Sequence, residues 1–449
     1  MTQNRKIMYV RDPVHGSIML SELQEALLKT VEVQRLSFVH QLGMTFQCYP
    51  GAHGMRLLHA IGVSHLAARI GRTVLTAGAG ALQPSIDGQR AIAMLEAAGM
   101  LHDIGHTPWS HTLEPLYREI TGEGHMELVA RLITGRARAS IRGAGEIPSI
   151  LLSHGLEPDD VADLITSRYE GPPACLQQMV FGEVDADMLD YLQRDFHFTG
   201  VAFGHIEVDR ILSTMTLADD GRLVFLEKGL DAVRDFLHAR LQMYSSVYLH
   251  RKTRIVDQML LRAARRSILE LGEIEGFQYM TDDQLLSFLL ESSSDERVRD
   301  LAWRVKYRQK LFTQVFSVEA AAQSESERRF MGSLVSASDE LGSVAPDLER
   351  RIADEAGLDP GDVMVDLPLE AVRSSEERFE RLEVDFVDRK GRIRALSDLD
   401  PAFADYLSRA MPHRSMLTVS CSPEYRAAVA EACDKVFREG AIPLFEESG

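Results

Sequence analysis

Residues 97–125 read AAGMLHDIGHTPWSHTLEPLYREITGEGH and hold four of the chain's fifteen histidines: His102, His106, His111 and His125. An even scatter over 449 residues would place fewer than one there. His102 and Asp103 stand together at the end of the apolar run AIAMLEAAGML, whose large side chains recur as in a buried helix. A neutral imidazole beside a carboxylate can share one small cation, and this donor pair suits ions from Zn to Fe, Mn and Mg. Gly105 and Pro108 then break the helix, and the pattern predicts a second one from near Thr107 with Pro108 at its first position. Two helix ends meeting at a histidine-rich break build a metal-centred cleft.

Outward from this stretch, residues 54–70 predict a helix that carries Arg56 and His59 one turn apart. Taken alone, that pair reads as a solvated helix face. On the other side, residues 179–201 read MVFGEVDADMLDYLQRDFHFTGV. On a helix, Asp187 shares a face with Asp190 and Tyr191, and Asp195 lies one turn beyond Tyr191. Asp185 reads as a dipole partner at the helix start, and Asp190 as an i,i+4 partner of Arg194. Residues 231–266 predict one long amphipathic helix in which Arg240, Tyr244, Tyr248 and His250 are interleaved, a mixture that also suits a nucleotide pocket. Residues 281–284 form a capping box, and another helix is expected over 296–316. The polar run from Ser317 reads as a linker. Short β-like runs and a closing helix follow from Val363.

The expected fold is therefore mainly α, a helical catalytic core with a small C-terminal α/β element. Its regions are 1–270 for the core, 271–350 for a helical extension and polar linker, and 351–449 for the α/β part. A formal net charge of −18 argues against a broad nucleic-acid surface, though a small anionic substrate fits a local cluster of arginines. No apolar run approaches the ~18 residues of a membrane span. The N-terminus lacks a signal-peptide core, and the four cysteines lack metal or redox spacing. A cytoplasmic protein without a membrane partner is the expectation.

Four segments in order, RDPVHG at 11–16, QLG…YPGA…MRLLHAIGV within 41–63, LHDIGHTPWSH at 101–111 and VDADMLDYLQRD at 184–195, resemble the HD-domain deoxynucleoside triphosphate triphosphohydrolases. That family includes bacterial dGTPase-like proteins and the animal enzyme with a sterile-alpha-motif domain. The resemblance implies His59, His102, Asp103 and Asp187 as ligands of a divalent ion (Mg, Mn, Fe or Zn). It implies attack of a metal-activated water on the α-phosphorus, which releases a deoxynucleoside and triphosphate. His111 matches the general acid, with Glu114 one turn on to orient it, and His106 and His125 match phosphate-contacting histidines. Gln41, Leu42, Tyr191 and Asp195 match the sugar site, Arg56 and Arg240 phosphate-binding arginines, and Tyr248 and His250 positions near the base. The resemblance further implies a homo-oligomer with effector nucleotides at subunit junctions. Other HD activities, a phosphodiesterase or single-strand nuclease, or a regulatory protein of weak turnover, are the alternatives. Leu58 and Ala60 flank the first metal histidine where the family carries Glu and Ser. Met126 follows His125 where the animal enzyme has an acidic residue. Met188 stands where that enzyme has a phosphate-binding lysine.

Overall fold

A computed structural model describes residues 7–77, 87–169, 174–202, 206–319, 341–367, 384–409 and 415–439. Helices Arg56–Ala77, Gly88–Leu101 and Ala186–Thr199 form the centre. The first two are apolar on most sides and buried accordingly. Their backbones cross closely, since a Cβ on Gly99 would lie 2.6 Å from the Ser64 nitrogen. The third helix leans on the first at Gly62, where a Cβ would fall 1.8 Å from Asp190 Oδ1. Only a glycine leaves room there for that carboxylate.

Helix Gly88–Leu101 ends with His102 as its C-cap, so the His-Asp pair sits at a helix terminus. Helix Ala186–Thr199 begins with Asp185 as N-cap, its side chain accepting from the Met188 N–H, and ends at Gly200 in the left-handed region. Asp187 therefore lies in a first turn, beside the end of the His-Asp helix. The motif RDPVHG forms the hairpin of strands Tyr9–Asp12 and Gly16–Met19, closed by Asp12 Oδ1 accepting from the N–H groups of Val14 and His15.

Three local expectations are corrected. No helix starts at Thr107. A 3-10 turn, Ser110–Thr112, precedes helix Glu114–Thr121, and Trp109 and Ser110 adopt positive φ of 59° and 57°. Tertiary bonds hold that strained turn: Trp109 N–H donates to Asp282, and Ser110 Oγ donates to the His40 carbonyl. The helix expected over 231–266 is two helices, Leu230–Met243 and Arg251–Arg265, joined by a π turn over Tyr244–Tyr248 and a break at Leu249 and His250. The YSSVY run contains no strong helix former, which leaves the break to tertiary packing. The helix expected over 296–316 stops at Tyr307, where Arg308 turns left-handed, and Thr313–Glu319 is a strand rich in β-branched residues.

That strand pairs antiparallel with Ser415–Cys421, which also pairs with Val363–Asp366. Val318, Leu348, Ile352, Leu417 and Val419 give this sheet and helix Leu341–Ala356 a core of their own. The C-terminal sheet thus draws an edge strand from well before residue 351. Strand Asp385–Val387 instead lies parallel to Leu223–Leu226 in a separate four-stranded sheet, with Phe386 in the main core. Most of the polar run after Ser317 lies outside the described residues. Arg254 in helix Arg251–Arg265 binds both oxygens of Asp366 at 2.7 Å and ties the small sheet to the main body. Among the described residues, no helix is long and apolar enough to cross a membrane.

Candidate active site

The structure brings His59, His102, Asp103 and Asp187 to one point. His59 Nε2 lies 3.0 Å from Asp187 Oδ1, 3.8 Å from Asp103 Oδ2 and 3.2 Å from His102 Nε2. His102 Nε2 lies 3.3 Å from Asp103 Oδ1 and 3.7 Å from Asp187 Oδ1. Donors held about 2.1 Å from one ion are separated by about 3.0 Å at right angles and about 3.4 Å in a tetrahedron. The spacing fits a single divalent ion. Both imidazoles are oriented for it from behind, because His59 Nδ1 lies 2.7 Å from Asp190 Oδ2 and His102 Nδ1 lies 2.9 Å from the Gly99 carbonyl. That leaves both Nε2 atoms facing the centre.

Arg56 and His59 are 2% and 1% exposed, so the solvated-face reading is overturned. Arg56 stands behind Asp103: its Nη1 donates to Asp103 Oδ2 at 2.6 Å and its Nε to Ser110 Oγ at 2.6 Å. Burial would raise the Asp103 carboxyl, but Arg56 and His102 hold it well below the usual carboxylate range. Burial would likewise lower His59, yet Asp187 and Asp190 push it up to about 10. The converging donors could hold a cation at this point.

Behind the quartet lies a layer the sequence reading left incomplete. Asp190 does bind Arg194, through Nε and Nη2 at 2.8 and 2.7 Å. It also accepts from His59, and its Oδ1 lies 2.6 Å from His15 Nε2, while Arg194 Nη1 reaches Asp12 Oδ2 at 3.0 Å. Both ends of the RDPVHG turn therefore serve the metal helix. The signal was present in that motif, because the turn uses only one oxygen of Asp12 and makes no use of the His15 ring.

On the far side of Asp103, His106 Nε2 lies 3.3 Å from Asp103 Oδ1. The His106 ring stacks on His125 with centroids 4.0 Å apart and meets His111 edge-on at 4.8 Å. Glu114 joins the other two, Oε2 at 2.9 Å from His111 Nδ1 and Oε1 at 2.6 Å from His125 Nδ1. Burial raises the Glu114 carboxyl, and these two bonds more than reverse it. His106, His111 and Glu114 are also close enough to hold an ion. Each Glu114 oxygen is already taken by a histidine, however, and His106 Nε2 faces Asp103. His111 is 68% exposed and open to a ligand.

A third cluster lies beside His59. The Tyr191 ring meets the His59 ring at 6.5 Å and the Tyr248 ring at 6.3 Å, and Tyr248 OH donates to Asp195 Oδ2 at 2.7 Å. Tyr248 is thereby grouped with the expected sugar residues. Burial pushes Asp195 up to about 7 despite that bond. Gln41 is held by its N–H on the Gly54 carbonyl, with Leu42 packed on the core, and Gln41 Oε1 is buried without a hydrogen-bond partner among the described residues. Arg56 Nη2 and His106 Nδ1 share that condition. Arg240 is 1% exposed, 6.0 Å from the Tyr244 ring. His250 meets the edge of Tyr49 at 5.7 Å.

Met188 is 6% exposed and packs in the apolar core. Met188→Lys is expected to lower stability by about 2–4 kcal/mol, because an unpaired cation would enter that core. Nucleotide binding should not tighten. Thermal unfolding and dNTP titration at low and moderate salt check this, and tighter, salt-sensitive binding would contradict it.

Donors from two helices and from the turn that ends a third, gathered around one ion position and backed by carboxylates and a carbonyl, define the class: an HD-type metal site. Residues 56–186 match the HD domain and residues 206–439 the HD associated region, and the chain belongs to the HD-domain phosphohydrolase family. It is 31% identical over 418 residues to YwfO of Bacillus subtilis, covering 86% of each chain. It is 32% identical over 284 residues to MJ1154 of Methanocaldococcus jannaschii, covering 62% of this chain and 54% of that one. The deoxynucleoside triphosphate triphosphohydrolase SAMHD1 of Gallus gallus is 28% identical over 301 residues, which is 60% of this chain and 47% of that protein. The chain thus spans about half the length of those last two relatives. In fold, it superposes on a crystal structure of a phosphohydrolase from Bacteroides thetaiotaomicron with a TM-score of 0.68 at 24% identity, covering 92% and 99% of the two chains. A protein of Aquifex aeolicus gives 0.68 at 22% identity, covering 95% and 100%.

Proposed function

We propose that this phosphohydrolase cleaves deoxynucleoside triphosphates to a deoxynucleoside and inorganic triphosphate. The observation that carries the reading is the polar wall beside His59, where Tyr191, Asp195 and Tyr248 form one cluster. The similarity to SAMHD1 supports it. His59, His102, Asp103 and Asp187 would hold the divalent ion, which when bound polarises a phosphoryl oxygen and lowers the pKa of a water.

The remaining steps belong to the chain's own residues. The Pα–O5′ bond breaks as water oxygen bonds to phosphorus, and the leaving 5′-oxygen needs a proton. His111 supplies it from Nε2, since Nδ1 is held by Glu114. Glu114 fixes that ring. His106 and His125, stacked beside it, and Arg56 Nη2 and Arg240 supply donors for phosphate oxygens. Asp195 accepts from the 3′-hydroxyl and the Gln41 side-chain amide donates to it, and Tyr191 with Leu42 leaves no space for a 2′-hydroxyl. His250 is assigned to the base side. A homo-oligomer responsive to effector nucleotides belongs to the same reading, and light scattering with and without dNTPs tests it.

The deciding experiment incubates the protein with each of the four dNTPs and their ribonucleotide counterparts, with Mn or Mg, and resolves the products. Inorganic triphosphate from dNTPs, with NTPs cleaved much more slowly, is the expected result. Diphosphate or monophosphate products, or cleavage of a phosphodiester instead, would replace the reading with another HD activity. Replacing His111 with alanine should cut turnover by roughly 10²–10⁴-fold with binding largely kept. Near-normal turnover at saturating substrate would transfer the proton role to His106 or His125.

A further inference from the structure

The two segments that carry the proposed sugar contact and the proposed acid, residues 40–44 and 109–112, touch each other closely. Gly43 has φ of 49°, and a Cβ there would lie 2.6 Å from Thr112 Oγ1 and 3.1 Å from the Trp109 carbonyl oxygen. The His40 and Trp109 rings stack at 5.2 Å and 10°. Neither segment belongs to a long helix, and Trp109 and Ser110 hold consecutive left-handed conformations just before His111. Something must hold them in that arrangement.

Two carboxylates from later in the chain do so, one at each end of the contact. Asp282, at the start of helix Asp282–Glu291 and 2% exposed, accepts from Trp109 N–H on Oδ1 at 2.6 Å. Its Oδ2 accepts from His40 N–H at 2.8 Å and lies 2.8 Å from His40 Nδ1. Asp257, in helix Arg251–Arg265, accepts on Oδ1 from Thr112 Oγ1 at 2.7 Å and from Met44 N–H at 3.4 Å. The pairing runs 40 with 109 and 44 with 112, with Gln41 and His111 between the two rungs.

We infer that Asp282 and Asp257 are positioning residues that clamp the Gln41 segment to the His111 turn and so set the distance between sugar and proton donor. The inference rests on the proposed roles of Gln41 and His111. Both carboxylates come from the HD associated region, which therefore completes a site whose proposed metal donors all lie outside it. The two carboxylates use their oxygens differently, and that difference makes the clamp testable. Asp282 needs both oxygens as acceptors, so Asp282→Asn must set an N–H against one of its donors. Asp257 uses Oδ1 alone, so Asp257→Asn can keep both bonds, whereas Asp257→Ala cannot.

The experiment uses the full chain with metal bound. Amide exchange at residues 40–44 and 109–112, read by mass spectrometry, should speed up in Asp282→Asn and Asp257→Ala, and return toward the wild-type rate in Asp257→Asn. Metal content should stay stoichiometric in all three. In the dNTP assay, Asp282→Asn should lower kcat by about 10- to 100-fold, the scale of a misplaced catalytic group. In a His111→Ala background it should cause little further loss, because groups that act as a unit are not additive. Unchanged exchange at both segments in both breaking variants would overturn the clamp, and losses that multiply in the double variant would overturn its action through His111. If the wild-type protein cleaves no dNTP, the functional reading fails, and the exchange rates still judge the clamp.

Discussion

Asp187→Ala is expected to leave a folded protein that neither retains its metal nor turns over substrate. The carboxylate sits in the first turn of its helix, is 28% exposed, and approaches both His59 and His102 Nε2. Its neighbours in the fold make few other demands on it, so its loss empties one corner of the donor set without opening the core. Water can fill the position but cannot supply the charge. Asp103→Ala should lose metal equally and also lose stability, by about 3–5 kcal/mol, because it strands the Arg56 guanidinium in a buried position. Elemental analysis and thermal unfolding of the two variants separate the effects. Stoichiometric metal in both would sink the assignment of the quartet.

Asp190→Ala is expected to damage the site without removing any proposed metal ligand. Asp190 is fully buried and is shared by His59, His15 and Arg194. Its removal leaves Arg194 with Asp12 alone and frees the His59 ring to rotate. A stability loss of about 3–5 kcal/mol follows from the broken buried pair. Metal affinity should fall by about 10–100-fold from the lost orientation of a ligand. Asp190→Asn keeps the shape and should lie between the two. Wild-type metal affinity in the alanine variant, measured by competition with a chelator, would show that His59 needs no such support.

The His102-Asp103 pair and the helical core were legible because both are written locally or in strong patterns, whereas His59 and Asp187 joined the proposed quartet only through the family resemblance. His102 and Asp103 are neighbours in sequence, and the segments around His59 and Asp187 both read as helices. What stayed hidden depends on which distant group claims a side chain. Helical spacing put Arg56 and His59 on one face but could not say that Asp103 and Asp190 bury that face. Asp190 and Arg194 were visible as an i,i+4 pair, whereas the further claims of His15 and His59 on the same carboxylate come from elements far away in the chain. The Trp109 and Ser110 turn was illegible for a related reason, since its left-handed backbone is held by Asp282. The strand Thr313–Glu319 was absorbed into a helix because its partner lies about a hundred residues later.

Gly62 carries a constraint of a different kind. A mid-helix glycine gives up about 1 kcal/mol of helix propensity relative to alanine, and at most such positions a library of variants would be enriched in alanine. Here the missing methyl is the space that Asp190 occupies. A library randomised at position 62 and selected for metal retention should therefore return glycine alone, while one selected only for soluble expression should admit compensating losses at Asp190. Position 62 would then report, from sequences alone, whether a given descendant of this fold has kept its ion or abandoned it.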